Sequence, residues 1–283
     1  MAWPPQLSAI EFQQLQRTFN EVAGLRFDAS AIALFQRRLA ARLPLHEVDN
    51  FRDYLRVLIS NGDELSAAFD LLTSGETYFF RHEEQLSLLS RTILPAVAEA
   101  NASVRRLSIW SAGCSSGEEA YTLSILVRES GLFHGWNVRI AGSDLSPERV
   151  EHARQGCYFQ GAFRSTDAAI LRRYFVNAGR LWQVDEETRR PCQFFTSNLL
   201  HAEFDTFIAR ADIILCRNVL IYLDERARVR VLRNLYDRLA PGGFLLLGHS
   251  ESLKFLDTPL EFQSLQQDLA LRKPARGRRG AEP

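Results

Sequence analysis

Leu107-Ser-Ile-Trp-Ser-Ala-Gly-Cys-Ser-Ser-Gly-Glu-Glu119 joins a short apolar run to a helical pattern through a loop of small residues. After Gly113 and Gly117, Ala120, Leu123, Ser124 and Val127 recur three or four positions apart, the period of a helix. Strand, tight loop and helix opening form the layout of a nucleotide-binding first turn, where glycine lets the backbone approach a ligand and take positive φ at little cost. The Glu118-Glu119 pair at the helix start argues against a phosphate ligand, because two carboxylates repel a pyrophosphate and no Lys-Ser/Thr pair follows as in a P-loop. The pair suits a cation. A ligand with an adenosine at one end and an ammonium and a sulfonium at the other, S-adenosylmethionine, fits such a loop. The same carboxylates also read as a complement to the helix dipole, and the loop by itself leaves both readings open.

On either side of this stretch the chain has two grammars. From residue 8 to about 72 it reads as all helix: Ile10, Leu15, Phe19 and Val22 form one apolar series that ends at Gly24, and Ile32, Phe35, Leu39 and Leu43 form another that stops before Pro44. A third helix carries Phe51, Tyr54, Leu55 and Leu58, and a fourth runs from Asp63 to Leu72. Residues 73–100 read as a linker with a connecting helix near 83–100. From Leu107 strands and helices alternate, which predicts a parallel sheet covered on both faces. The expected strands are Leu107–Trp110, Val138–Ser143, Gln193–Thr196, Ala211–Cys216 and Gly243–Leu247, with clear helices at Pro147–Arg154 and Glu225–Leu239. Residues 174–192 alternate without helical period and predict a small antiparallel insertion. The division expected is therefore a helical domain over 1–72, a sheet domain over 101–272, and a basic, disordered tail over 273–283.

The 34 basic and 34 acidic residues cancel, so the net charge shows no sign of the basic surface of a general nucleic-acid binder, and nucleic acid is not an expected partner. The four cysteines, Cys114, Cys157, Cys192 and Cys216, are far apart and form no CxxC, which argues against a disulfide framework or a metal site and for a reducing cytoplasm. No signal peptide opens the chain, and no uncharged run approaches membrane-spanning length.

Ligands of open α/β sheets bind at the carboxyl ends of the strands. The first strand leads to Gly113, Gly117 and Glu118, and the second to Asp144, an acceptor suited to ribose hydroxyls that also reads as a helix cap, although Ser146 is better placed for capping. The third leads to Asn198-Leu199, an amide that reads an adenine edge beside an apolar side chain, and the fourth to Arg217-Asn218, polar residues set between apolar runs. Four such features at equivalent strand ends make one coherent site.

The chain resembles the chemoreceptor glutamate methyltransferases of the CheR type. The likeness runs from about residue 8 to 272 and is carried by Thr77-Tyr-Phe-Phe-Arg81, Trp110-Ser-Ala-Gly-Cys-Ser-Ser-Gly-Glu-Glu119, Gly142-Ser-Asp-Leu145, Ser197-Asn-Leu-Leu200, Cys216-Arg-Asn-Val-Leu-Ile-Tyr222 and Gly248-His-Ser-Glu251. It implies a Rossmann-like class I S-adenosylmethionine methyltransferase domain, α/β with a small antiparallel β-subdomain, preceded by an all-α N-terminal domain. It implies methyl transfer to glutamate side chains on the cytoplasmic helices of chemoreceptors, for sensory adaptation. Glu118 would hold the cofactor ammonium, Asp144 the ribose, and Asn198 and Leu199 the adenine, with Gly113, Arg217 and Asn218 completing the pocket and Thr77 and Arg81 over the methionine end. Arg81 and Tyr222 would orient the acceptor carboxylate, and Arg37, Arg38 and Arg42 would meet acidic receptor helices. Gly75 stands where an asparagine is common in the family, so any cofactor contact there is through backbone. The short turn Asn177-Ala-Gly-Arg180 predicts recognition without a receptor tether peptide. No metal is implied, S-adenosylhomocysteine is the product, and a cytoplasmic monomer is expected. The rival reading is a non-catalytic module that binds S-adenosylmethionine or S-adenosylhomocysteine and docks on receptors.

Overall fold

The computed structural model describes residues 5–201, 210–248, 251, 261–265 and 268–275. His249 and Ser250 of the Gly248–Glu251 motif, and the tail from residue 276 on, lie outside the described residues. The chain divides into two compact units, Met1–Gly75 with Leu220–Val231 and Glu76–Val219 with Leu232–Pro283.

The helical unit contains α1 (Ala9–Ala23), α2 (Ile32–Leu39), α3 (Phe51–Ser60) and α4 (Gly62–Leu72). Local sequence sets their ends. Ser8 and Glu11 form a reciprocal capping box at α1, Gly24 closes it with φ 68°, and Asn50 and Asn61 cap α3 and α4 through their side chains. Each cap satisfies backbone groups that a helix end otherwise exposes, at a typical worth of about 1 kcal/mol. The buried stripe of α1 is Phe12, Leu15, Phe19 and Ala23, while Ile10, expected in the core, is 70% exposed. The choice is aromatic: Phe12, Phe19, Phe27, Phe35 and Phe69 form a cluster of edge-to-face pairs that Ile10 does not extend. The segment Leu220–Val231 completes this unit. Leu223 bridges to Leu25, Tyr222 O accepts from Arg26 N at 2.8 Å, and Asp224 Oδ2 accepts from Asn20 Nδ2 at 2.7 Å.

The sheet unit opens with α5 (Glu83–Leu88) and α6 (Leu94–Ala100), joined by a wide π-helical turn at Leu89–Ile93. Then come β1 (Arg106–Ala112), α7 (Glu118–Ser130), β2 (Asn137–Asp144), α8 (Pro147–Gln155), β3 (Cys157–Phe159), α9 (Ala168–Tyr174), β4 (Phe175–Ala178), β5 (Leu181–Val184), α10 (Glu186–Arg189), β6 (Cys192–Thr196), β7 (Ala211–Cys216), α11 (Glu225–Arg238), β8 (Leu239–Leu247), β9 (Glu261–Leu265) and β10 (Asp268–Arg272). The main sheet has the order β6-β2-β1-β7-β8-β10-β9. Its first five strands are parallel, and β10 and β9 add two antiparallel strands that the sequence reading did not include. A second sheet, β3-β5-β4, is antiparallel and sits within residues 157–184. The stretch read as linker feeds the core of this unit: Phe79, Leu88, Leu89, Ile93, Leu94 and Val97 pack with Leu107, Ile109, Leu123 and Ile213. The order reverses between β1 and β7, so the ends of β1, β2, β6 and β7 gather their loops on one side of the sheet, the side on which such folds bind ligands.

Candidate active site at the ends of the parallel strands

The loop between β1 and α7 is held open by its neighbours. Gly113 (φ 81°) and Gly117 (φ 94°) both take the left-handed conformation, and a Cβ on them would stand 2.3 Å from Val219 Cγ2 and 2.7 Å from Ala153 Cβ respectively. Only glycine fits. The amides of Gly113 and Cys114 both donate to Ser143 O, at 2.8 and 2.9 Å, and Ser115 N donates to Asp144 Oδ2 at 2.8 Å. Asp144 also accepts from Ser146 N at 3.1 Å, while Ser146 Oγ caps α8 by accepting from Arg149 N. Asp144 therefore ties the loop to β2, with lone pairs beyond these two bonds.

The two glutamates that open α7 have different fates, as consecutive helical residues point about 100° apart. Glu119 is closed by the chain itself: Oε1 accepts from Ser111 Oγ at 2.7 Å, and Oε2 meets Arg217 Nε at 2.6 Å. Arg217, buried, also donates from Nη1 to Arg81 O at 3.0 Å and to Gln85 Oε1 at 3.2 Å. Glu118 is just as buried, and its carboxylate accepts from Ser116 Oγ at 2.8 Å and from its own backbone amide, with no Arg or Lys paired to it among the described residues. Burial raises its pKa above the ordinary carboxylate value, with the Ser116 bond, the Glu118 amide and His152 opposing. A buried carboxylate without a cation is expensive, and a cationic ligand removes that cost.

Arg81 lies in a strained strap. Phe80 and His82, on either side of it, hold φ values of 60° and 61°, which bulky residues rarely take. The strap is over-determined: Phe79 is fully buried, stacks on Phe163 at 5.0 Å and donates from N to Ala162 O, and Phe80 N donates to Thr122 Oγ1 at 3.2 Å. Arg81 Nη1 donates to Glu76 O at 2.7 Å, while its Nε is buried and has no hydrogen-bond partner among the described residues. Thr77 is half-buried in the same strap.

At the end of β7, Asn218 takes φ 60° and its Oδ1 lies 3.4 Å from His82 Nε2. Glu251 holds this turn, accepting from Asn218 N (3.1 Å), Val219 N (2.8 Å) and Gly248 N (2.6 Å), a role that only the Gly248–Glu251 motif hints at in the sequence. At the end of β6, Ser197 N donates to Asp144 O at 2.8 Å, Asn198 Oδ1 accepts from Leu200 N, and Leu199 O accepts from Asn234 Nδ2. Gly113, Glu118, Asp144, Asn198 and Leu199 are thus linked through β1, β2 and β6, and Arg81, Arg217 and Asn218 through the strap and β7.

The remaining candidates lie in the helical unit. Gly75 and Tyr222 belong to it, and Tyr222 is half-buried. Arg37 and Arg38 are exposed, the latter donating to Leu71 O. Arg42 turns inward. Its Nε donates to Glu64 Oε1 at 2.9 Å and its Nη2 to Glu64 Oε2, a carboxylate that also accepts from Tyr54 Oη and has His46 Nε2 2.6 Å away. Its partner Glu64, 22 residues on in sequence, lies on another helix, beyond the reach of helical periodicity.

The model of the CheR methyltransferase S-adenosylmethionine-binding domain matches residues 75–270, and that of the CheR all-alpha domain matches residues 10–73. The chain belongs to the CheR methyltransferase family. Chemotaxis protein methyltransferase 2 of Vibrio cholerae is 30% identical over 95% of this chain and 94% of its own length. Chemotaxis protein methyltransferase 2 of Pseudomonas aeruginosa is 33% identical over 86% of each. The chemotaxis protein methyltransferase of Borreliella burgdorferi is 31% identical over 86% of this chain and 88% of its own. The chain is an S-adenosylmethionine-dependent methyltransferase with an all-α domain followed by a Rossmann-like domain. The residues fit the cofactor: a glycine cradle that admits no Cβ, and a buried carboxylate with no Arg or Lys paired to it among the described residues. Among the described residues no His, Cys, Asp and Glu cluster is arranged for a metal, and no helix is long and apolar enough to cross a membrane.

Proposed function

We propose that the chain methylates glutamate side chains on the cytoplasmic helices of chemoreceptors, acting as a cytoplasmic monomer in sensory adaptation. The observation that carries this reading is Arg81, whose guanidinium is anchored at Nη1 on Glu76 O and holds a buried Nε unpartnered among the described residues. A planar fork of donors matches a carboxylate. Bound S-adenosylmethionine supplies a methyl group on a positively charged sulfur, and an acceptor carboxylate oxygen takes that methyl to form an ester, leaving S-adenosylhomocysteine. A glutamate with an ordinary pKa near 4.3 is already ionised at neutral pH, so the acceptor needs no general base.

What the chain supplies is binding and alignment, worth up to about 7–11 kcal/mol in favourable cases. Glu118 would hold the methionine ammonium, the glycine loop with Gly113 would pass under the cofactor, and Asp144 would take the ribose with its remaining lone pairs. Asn198 and Leu199 would frame the adenine, and Thr77 and Arg81 would lie over the methionine end, with any contact from Gly75 made by backbone. Arg217 acts by holding Glu119 and the carbonyl of Arg81, and Asn218 by shaping the turn after β7. Tyr222 is a second candidate to orient the acceptor, and Arg37 and Arg38 are candidates to meet acidic receptor helices.

The test is incubation of the protein with radiolabelled S-adenosylmethionine and receptor-bearing membranes, followed by mild base. Base-labile label on a receptor, lost in Arg81→Ala, is the expected result. Cofactor binding with no base-labile label on any receptor would overturn the reading and favour a binding module.

A further inference from the structure

Arg164 follows the tight turn Gln160–Phe163 that leads away from β3, far in sequence from Arg81, and no step above uses it. Its guanidinium lies over the Tyr78 ring, with Cζ 3.7 Å from the centroid, and its Nη2 meets Glu76 Oε1 at 2.6 Å. Glu76 and Tyr78 both meet the Arg81 guanidinium from within the strap. Glu76 O accepts from Arg81 Nη1 at 2.7 Å, and the Tyr78 ring lies 5.6 Å from Arg81 Cζ. One guanidinium therefore clamps both supports of the other. The backbone around it is fixed independently, since Phe79 N donates to Ala162 O two residues before Arg164.

We propose that Arg164 is a positioning residue for Arg81, acting through Glu76 and Tyr78. The inference rests on the reading of Arg81 given above. Arg164 and Glu76 are both partly exposed, at 47% and 64% of their side chains, so solvent screens the ion pair and the cation–π contact with Tyr78 carries the larger part. Without the clamp the strap keeps its place through Phe79, while the Arg81 side chain gains freedom. Cofactor affinity is then unchanged and the transfer step slows.

The experiment compares Arg164→Ala, Tyr78→Leu, Tyr78→Phe, the double variant Arg164→Ala/Tyr78→Leu, and Arg81→Ala. It reads kcat and KM with receptor-bearing membranes, S-adenosylhomocysteine affinity by calorimetry, and the thermal midpoint. Arg164→Ala and Tyr78→Leu are each expected to lower kcat about tenfold, the combined scale of a partly exposed cation–π contact and a surface ion pair. Affinity for S-adenosylhomocysteine stays within about twofold, the double variant is no slower than either single one, and Tyr78→Phe, which keeps the ring face, recovers most of the rate. A wild-type kcat in Arg164→Ala while Arg81→Ala is inactive would overturn the proposal and leave the reading of Arg81 standing. Additive losses in the double variant, or an effect confined to KM for the membranes, would also overturn it, because they make Arg164 an independent contact. An active Arg81→Ala would overturn the reading of Arg81 and the proposal with it. If Arg164→Ala fails to fold, the Tyr78 pair gives the same decision.

Discussion

Two buried glutamates, one in each unit, differ in what closes them. Glu64 of the helical unit and Glu118 of the sheet unit are almost equally shielded, at 3% and 4% exposure. Desolvation pushes both pKa values up. At Glu64 the bonds from Arg42, Tyr54 and His46 together outweigh it and bring the carboxyl down to about 2. At Glu118 the Ser116 hydroxyl, the residue's own amide and the more distant His152 do not, and the pKa stays raised. Burial of a charge therefore does not mark a ligand site. The mark is a buried charge that the chain leaves uncompensated, and by that measure Arg42 with Glu64 is architecture while Glu118 faces a ligand.

The contrast breaks first if Glu64 is neutralised. Glu64→Gln leaves Arg42 without its partner and is expected to cost roughly 3 kcal/mol in denaturant unfolding; a loss below about 1 kcal/mol would show that the cluster is not a keystone. Acid should report the same group. A carboxyl whose folded pKa is about 2 against an ordinary 4.5 gives stability that is fully present above pH 4.5 and is lost as the pH falls toward 2. The Glu64→Gln protein should lack that part of the acid unfolding curve. Glu118 has the opposite sign. Its raised pKa means that folding favours the protonated form, so the ionised group costs stability once the pH rises through the folded value. Glu118→Gln is expected to stabilise the free protein by about 1 kcal/mol at pH 7, and destabilisation of that size would contradict the assignment. The smallest effects belong to the exposed arginines. Arg37→Ala and Arg38→Ala should change stability by less than about 0.5 kcal/mol. Each should weaken receptor association a few-fold at low salt, an effect that fades as ionic strength rises.

Much of this architecture was legible because it is local. The switch from period 3.6 to alternating strands and helices placed the two fold types, and the run ending at Gly113 and Gly117 announced a loop that admits no side chain. Strand ends made Asp144, Asn198 and Arg217 nameable in one pass. What could not be read depends on partners far along the chain. Glu118 and Glu119 look alike until Arg217, 98 residues on, pairs with one of them. Arg42 shares a helical face with Arg38 in the sequence pattern, yet Glu64 draws it inside. The aromatic cluster, and not hydropathy, decides that Phe12 is buried and Ile10 is not. Leu220–Val231 joins the helical unit through Leu223 and Asp224, a return that no periodicity encodes. The last two strands join the sheet antiparallel after five parallel ones, a change of direction that the alternating strand–helix pattern does not signal.

The central claim is that Glu118 compensates its burial by holding the cationic end of the cofactor. Calorimetric titration of S-adenosylhomocysteine, which carries that ammonium, into the wild-type protein and Glu118→Gln between pH 5 and 8 tests it most directly. The account predicts an affinity about 100-fold lower in the variant, the scale of a buried charge pair. It also predicts that wild-type affinity weakens toward low pH as Glu118 takes up a proton, with no such slope in the variant. Equal affinities with the same pH dependence would contradict it.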